Sequence, residues 1–332
     1  MRWSGDAAVQ ASPGCDDNWN VESAVLPAPT IAPLRVGEFF ASLEWFCRFH
    51  RNRPSTIGEF LDWGKLMLSF VLSTWRAGLR SKGIHAVLVL GILLVAVAFL
   101  SASFSPRQPK TVALDVGISC IRISLVLFAL FWVQELVGNE IQRRTVLFAL
   151  TYPVARGHYA VGRYLGVLGM LALAAALLGA LLWLAVLYSG RGYQQGFAVT
   201  SGGPYWLTIA GLWVDAAVVT AFALWIASLS TVPMLPLALG LAFAAGGKSL
   251  GAVAEYLALG AEGDPEIMRL APIVNAIQWI LPDLSRLDWR AWPMYGVAPD
   301  ATAMAGGLIA ATSYAVVLVM LAVITFNRRE FQ

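Results

Sequence analysis

The residues that come nearest to a chemical motif are Ala242–Ser249, which read AFAAGGKS. A phosphate-binding loop needs a glycine where Ala242 stands, and it must follow a strand and open a helix in a soluble domain. Here the segment lies inside an apolar run, so no nucleotide chemistry is expected of it. His50, His85 and His158 are far apart in sequence, and no G-x-S-x-G, H-E-x-x-H or paired-carboxylate pattern accompanies them. Cys15, Cys47 and Cys120 are scattered and odd in number, giving neither a disulfide framework nor metal-ligand spacing. The chain is therefore expected to carry no catalytic residue, no cofactor-binding residue and no metal ligand, and not to be an enzyme. What remains are ionisable groups embedded in apolar sequence: Asp115, Arg122, Asp215, Lys248 and Glu255. Charge in a hydrocarbon setting is costly, and it faces a partner, a cavity or a subunit interface.

The elements that position these charges follow from composition. Of 332 residues, 58% are hydrophobic and 13% charged, against about 45–50% and about 25% in a soluble globular chain. Mean hydropathy is +0.68. So few charges cannot cover a water-facing surface, which excludes a soluble enzyme, a disordered chain and a nucleic-acid binder despite the net charge of +3. A helix crosses the hydrocarbon core with about 20 mostly apolar residues. Six stretches qualify: Ala86–Phe104, Thr111–Val137, Val161–Leu187, Tyr205–Leu229, Val232–Leu259 and Thr302–Phe326. The fifth is interrupted by Gly246, Gly247 and Lys248. None resembles a cleaved signal peptide, and continuous rather than alternating apolar runs exclude a barrel. The expected fold is an all-α polytopic membrane protein with six transmembrane helices, an N-terminal interfacial helix and a short extracellular helix before span six.

Basic residues flanking the spans set the orientation. Lys65, Arg76, Arg80 and Lys82 precede span one; Arg143, Arg144, Arg156 and Arg163 lie between or at the edge of spans two and three; Arg328 and Arg329 follow span six. An even number of spans puts all three regions on one side. Both termini are expected in the cytoplasm, with the chain in the cytoplasmic membrane. Arg107, Lys110, Arg191, Arg269, Arg286 and Arg290 fall on the opposite side at lower density.

Three regions are expected along the chain. Residues 1–58 form an irregular leader, with Pro13, Pro27, Pro29 and Pro33 and a short amphipathic helix at Gly37–Asn52. Residues 59–82 set Leu66, Met67, Phe70, Val71, Trp75 and Leu79 at helical spacing against Lys65, Ser69, Ser73, Arg76 and Arg80. That pattern fits a helix in the inner-leaflet interface with Trp63 and Trp75 at headgroup depth, or a helix packed on a soluble cap. Residues 83–332 hold the six spans. Between spans five and six, Pro265–Pro282 contains an amphipathic stretch suited to a short extracellular helix or a re-entrant segment, and Trp289, Trp292 and Tyr295 fit an aromatic belt.

Measured from the outer ends of spans two, four and five, Arg122, Asp215 and Lys248 each lie about 10 residues in, or about 15 Å at 1.5 Å per residue. They share a depth near the midplane. Asp215 is therefore expected to neutralise Arg122 or Lys248. The remaining cation, Lys248 beside Gly246-Gly247, would face the cavity of a dimer; a purely structural ion pair is the competing reading.

Between spans two and three, the sequence from Gln134 to Gly166 reads as a short helix, polar at its start and apolar through Val146–Leu150, broken by Pro153 and followed by a helix that becomes span three. Such a helix suits docking into a partner's groove. The run Glu140…Arg144-Thr145…Leu150…Tyr152-Pro153-Val154…Arg156…Tyr159…Gly162-Arg163…Gly166 resembles the signature of ABC-2 type permeases, the membrane subunits of one class of ATP-driven exporters. Leu281-Pro282-Asp283-Leu284 and the tail from Phe326 to Phe331 are also of that family's type. The resemblance covers about residues 60–332, departs from the common pattern at Arg163, where lysine is frequent, and is closest to the subgroup with a separate ATPase chain, as in the nitrous-oxide-reductase maturation transporter. It implies a dimer with a second permease copy or paralogue among membrane lipids, each permease contacted by a cytoplasmic ATPase subunit that binds the ATP, and no nucleic-acid partner. Glu140, Arg143, Arg144, Thr145, Pro153 and Arg156 would be the ATPase-coupling residues. A secondary transporter and a non-transporting membrane assembly or anchor protein are the alternatives.

Overall fold

A computed structural model describes residues 71–105, 107–138, 156–189, 199–200, 202–230, 232, 234–258 and 281–328; the side chains of 137, 138, 156–159, 254, 255 and 258 are outside that description. The chain divides into two units, Met1–Arg53 and Pro54–Gln332, and every described residue belongs to the second. The expected leader, its Gly37–Asn52 helix, Trp63 and most of the Pro265–Pro282 stretch lie outside the described residues.

Runs of Leu, Ala, Val and Ile with almost no charge have only one open-ended way to satisfy their backbone in lipid, the α-helix. Residues 71–80 form α1. Then follow α2 (Lys82–Ser103), α3 (Pro109–Val133), α4 (Arg156–Tyr188), α5 (Gly203–Leu229), α6 (Leu235–Ala258), α7 (Ala291–Tyr295) and α8 (Ala301–Arg328). Six of these, α2 to α6 and α8, are long and apolar enough to cross a membrane, so the chain is an all-α, multi-pass membrane protein. Pro109 and Pro204 sit in the first turns of α3 and α5, where a missing N–H costs nothing. A five-residue π-helical turn, Gln134–Gly138, closes α3.

The bundle is layered by exposure. In α5, 72% of the apolar window is buried, and in α3 61%, against 28% in α2 and α6; α3 and α5 form the centre and the others surround them. Close crossings occur at glycines. Gly91 of α2 lies against Leu178 and Ser124, and Gly78 of α1 lies under the Trp132 ring. Small residues at crossings let helices approach without a hydrophobic driving force between them.

The span-five glycines behave differently from the break expected of them. Helix α6 runs without interruption from Leu235 to Ala258. Its Gly247 instead makes room for Leu284 and the Pro282 carbonyl, and Gly246 for Leu281. Gly211 of α5 meets the Leu287 carbonyl and the Trp289 ring, and Gly307 of α8 meets Arg286. Four glycines on three spans thus cradle the segment 281–290, which carries a 3-10 turn at Leu284–Leu287 and inserts between the helices. A methyl group added at Gly211 would stand 2.6 Å from the Leu287 carbonyl oxygen. Gly211→Ala should therefore cost about 1–3 kcal/mol, read as a lowered melting temperature in detergent; an unchanged melt would mean that the segment is not seated there.

One aromatic expectation is corrected. Trp289, expected in an interfacial belt, is 6% exposed and donates its indole N–H to the Arg286 carbonyl at 2.9 Å; the inserted segment draws it into the bundle. Tyr295 is exposed, as a belt residue would be. Trp75, expected at headgroup depth, donates its indole N–H to the Gly166 carbonyl of α4 at 3.1 Å. Beside it Arg163 Nη1 donates to Thr74 Oγ1 at 3.0 Å. Helix α1 is therefore docked on the spans through Thr74, Trp75 and Gly78, while Leu72, Leu79, Arg76 and Arg80 form its open side.

Candidate functional site

The embedded charges assemble into two connected groups. On α3, Asp115, Ser119 and Arg122 recur at intervals of four and three residues, which places them on one helix face. Arg122 Nε meets Asp215 Oδ2 of α5 at 2.7 Å, with side-chain exposures of 11% and 3%. Asp215 is thus neutralised by Arg122, one of the two partners its depth allowed.

Lys248 is not the remaining cation. Its ammonium pairs with Asp288 of the inserted segment. Asp288 is held at the same time by Arg290, whose Nε donates to Asp288 Oδ1 at 2.8 Å and whose Nη2 meets Oδ2 at 2.8 Å, a forked, two-oxygen grip. Arg290 then extends Nη1 across to α3, donating to Asp115 Oδ1 at 2.8 Å and Ser119 Oγ at 2.9 Å. The expectation failed because it treated 284–295 as a surface loop, whose charges would be spent on water. Insertion brings Asp288 and Arg290 to the spans, and both charges need partners there.

Three acids (Asp115, Asp215, Asp288) and three bases (Arg122, Lys248, Arg290) therefore cancel. The two groups lie within electrostatic reach of each other: Asp215 senses both Lys248 and Asp288. Burial alone would push the Asp288 carboxyl upward, but hydrogen bonds from Arg290 and Lys248 outweigh it and hold the carboxyl at about 2. Asp288 is a permanent anion at neutral pH. The second oxygen of Asp215, Oδ1, is buried and accepts no hydrogen bond among the described residues. A buried acceptor without a donor is costly, and among the described residues it marks a point in the bundle centre where this network has spare capacity for a water or a proton.

Structurally, the network ties four pieces of chain together: α3 to α5 through Arg122–Asp215, α3 to the inserted segment through Asp115–Arg290, and that segment to α6 through Asp288–Lys248. Asp288, Arg290, Asp115 and Ser119 were not singled out as a unit from sequence. The usable signal was the four-and-three spacing on α3, together with an acid and a base two residues apart, Asp288 and Arg290, after Leu-Pro-Asp-Leu.

Glu140, Arg143, Arg144, Thr145 and Pro153 lie outside the described residues. Arg156 opens α4, which runs unbroken to Tyr188; its side chain lies outside the described residues. Glu255 lies on α6, its side chain likewise outside. Among the described residues no group of three His, Cys, Asp or Glu could hold a metal ion. No family model matches the chain, and no curated protein matches it.

Proposed function

We propose that this chain is the transmembrane permease subunit of an ABC-2 type exporter, moving a substrate across the cytoplasmic membrane with ATP hydrolysed by a separate subunit. The observation that carries the proposal is the run from Glu140 to Gly166, with its charged, then apolar, proline-terminated stretch leading directly into span three. Six membrane-crossing helices are compatible with a transporter. A lever also needs a stiff arm, and α4 supplies one: 33 residues without a break from Arg156 onward, or about 50 Å.

In this reading the Glu140–Leu150 segment is a coupling helix seated in the ATPase. Arg143, Arg144 and Arg156 pair with acidic residues of that partner, and closure of two ATPases rocks two permeases between inward- and outward-facing states. The cofactor ATP belongs to the partner. A second permease copy or paralogue is supported by the open side of α6, where Ala238, Ala242, Ala245, Ser249 and Ala252 are all exposed at intervals of four and three, the close-packing pattern of membrane helix pairs.

The test is purification in mild detergent through a C-terminal tag, with mass spectrometry and an ATPase assay, comparing wild type with Arg143→Glu/Arg144→Glu. An ATPase subunit that co-purifies with wild type and falls at least about tenfold with the variant, a loss of about 1.4 kcal/mol, is the expected outcome. A stable protein that carries no ATPase under any condition removes the proposal. One observation favours a secondary transporter instead: the charge network with its unpartnered Asp215 oxygen is of the kind used for ion coupling. That reading requires transport abolished by a protonophore in proteoliposomes without ATP.

A further inference from the structure

We propose that the groove between the inserted segment and α8 is a phospholipid-binding site, with the lipid phosphate on Arg286 and one acyl chain lying along Ala310, Ser313 and Val317. The inference rests on the spanning helices and the groove, not on the coupling-helix reading.

The groove is open on one side and has a volume of about 820 Å³, within the range of about 300–1,000 Å³ typical of small-molecule sites. Leu281, Pro282 and Leu284 line one wall, and Gly307, Ala310 and Val317 the other. Ser313 Oγ donates back to the Ala310 carbonyl at 3.0 Å, so the strip Ala310, Ser313 and Val317 offers an apolar surface beside the Tyr314 ring. Ala310, Ser313 and Val317 are all exposed. At intervals of three and four they form a strip of about 10 Å along the helix axis, the direction in which an acyl chain lies.

The mouth of the groove is of opposite character. The Arg286 side chain is 67% exposed, and its Nε donates to Asp283 Oδ2 at 3.2 Å. Asp283 is itself fixed, because its Oδ1 accepts from the Ser285 N–H at 3.1 Å and hydroxyl at 2.6 Å. This orients the guanidinium and leaves its two terminal amino groups without a protein partner among the described residues. A fork of free N–H donors matches phosphate oxygens.

Depth brings the two halves into register. Helix α8 has 28 residues, about 42 Å, against a hydrocarbon core of about 30 Å, so about 6 Å emerges at each end if it is centred. Arg286 lies beside Gly307, six residues after the start of α8, or about 9 Å along it. Its Cβ is then about 3 Å inside the hydrocarbon boundary, and an arginine side chain reaches back to the phosphate layer from there. A free phosphate or polar solute would waste the apolar walls, and a free hydrocarbon would leave the guanidinium unmet. A second copy of this chain seated there would bury Arg286 with only Asp283 to offset it. A lipid meets both requirements.

The full chain would be placed in phosphatidylcholine nanodiscs doped with a phosphatidylcholine bearing a diazirine in one acyl chain, irradiated and mapped by mass spectrometry. The expected result is label concentrated on residues 310–317. It should fall at least about fivefold with Arg286→Gln, where binding loses the phosphate contact, and to a similar degree with Val317→Trp, which fills the groove. Arg107→Gln, on the same membrane face but away from the groove, should change nothing. A diazirine fatty acid lacking the phosphate should not concentrate there. The proposal is overturned by label no denser on 310–317 than on the exposed α2 residues Leu93 and Val97, which signifies bulk lipid only. It is overturned equally by labelling indifferent to both substitutions in protein that elutes monodisperse, or by an Ala310→Cys disulfide joining two copies across the groove.

Discussion

Asp215→Asn is expected to be the most damaging single substitution in the bundle, and Arg122→Gln added to it is expected to restore much of the loss. Removing the carboxylate leaves Arg122 11% exposed with a charge it cannot shed. A buried ion pair broken from one side costs about 3–5 kcal/mol, because the surviving charge is left uncompensated. Arg122→Gln alone should cost less, since an orphaned Asp215 can take a proton and become neutral. The double variant Arg122→Gln/Asp215→Asn buries no charge and should melt above Asp215→Asn alone. The checks are folded yield and thermal melting of purified protein in detergent. Strict additivity of the two single effects would show that the pair is not an energetic unit. The unpartnered Oδ1 of Asp215 adds a second readout: Asp215→Leu, which removes both the bonded oxygen and the costly one, should be rescued by Arg122→Leu at least as well as the amide pair is.

The same pair shows where sequence reasoning succeeds in a membrane protein. Spans such as α2 and α5 are legible because the bilayer fixes the length of apolar sequence a helix needs, and helix pitch then converts sequence position into depth. Arg122 and Asp215 were brought to one level by that arithmetic, before any contact was known. The arithmetic failed at Lys248 because its partner is not on a span. Asp288 and Arg290 sit in a stretch of mixed aromatics, charges and prolines that carries no periodicity, and its tryptophans fit an interfacial belt equally well. The signal for insertion was distributed: Gly211, Gly246, Gly247 and Gly307 lie on three different helices, and each alone reads as an ordinary small residue of a membrane span. Only the fold places them around one segment.

Arg290→Gln is expected to be far more damaging than Lys248→Met, although both remove one cation bonded to Asp288. Arg290 is the hub of its group: it grips both oxygens of Asp288 and reaches Asp115 and Ser119 on α3. Its loss leaves Asp288 to the part-exposed Lys248 alone, frees the half-exposed Asp115 and cuts the link between α3 and the inserted segment, at an expected cost of about 2–3 kcal/mol once solvent screening at Asp115 is allowed for. Lys248 is 35% exposed, and its attraction to Asp288 is correspondingly screened. Arg290 continues to hold the carboxylate when the lysine is gone, so Lys248→Met should cost about 1 kcal/mol or less. Melting curves in detergent measure both, and equal losses would mean that the lysine anchors Asp288 as strongly as the arginine does. The small structural cost also makes Lys248 the informative residue for transport. It tethers α6 to the inserted segment, and a moving α6 has to break or carry that tether. If Lys248→Met assembles normally and transport fails, the tether belongs to the working cycle. Normal transport would reduce it to one more compensated charge.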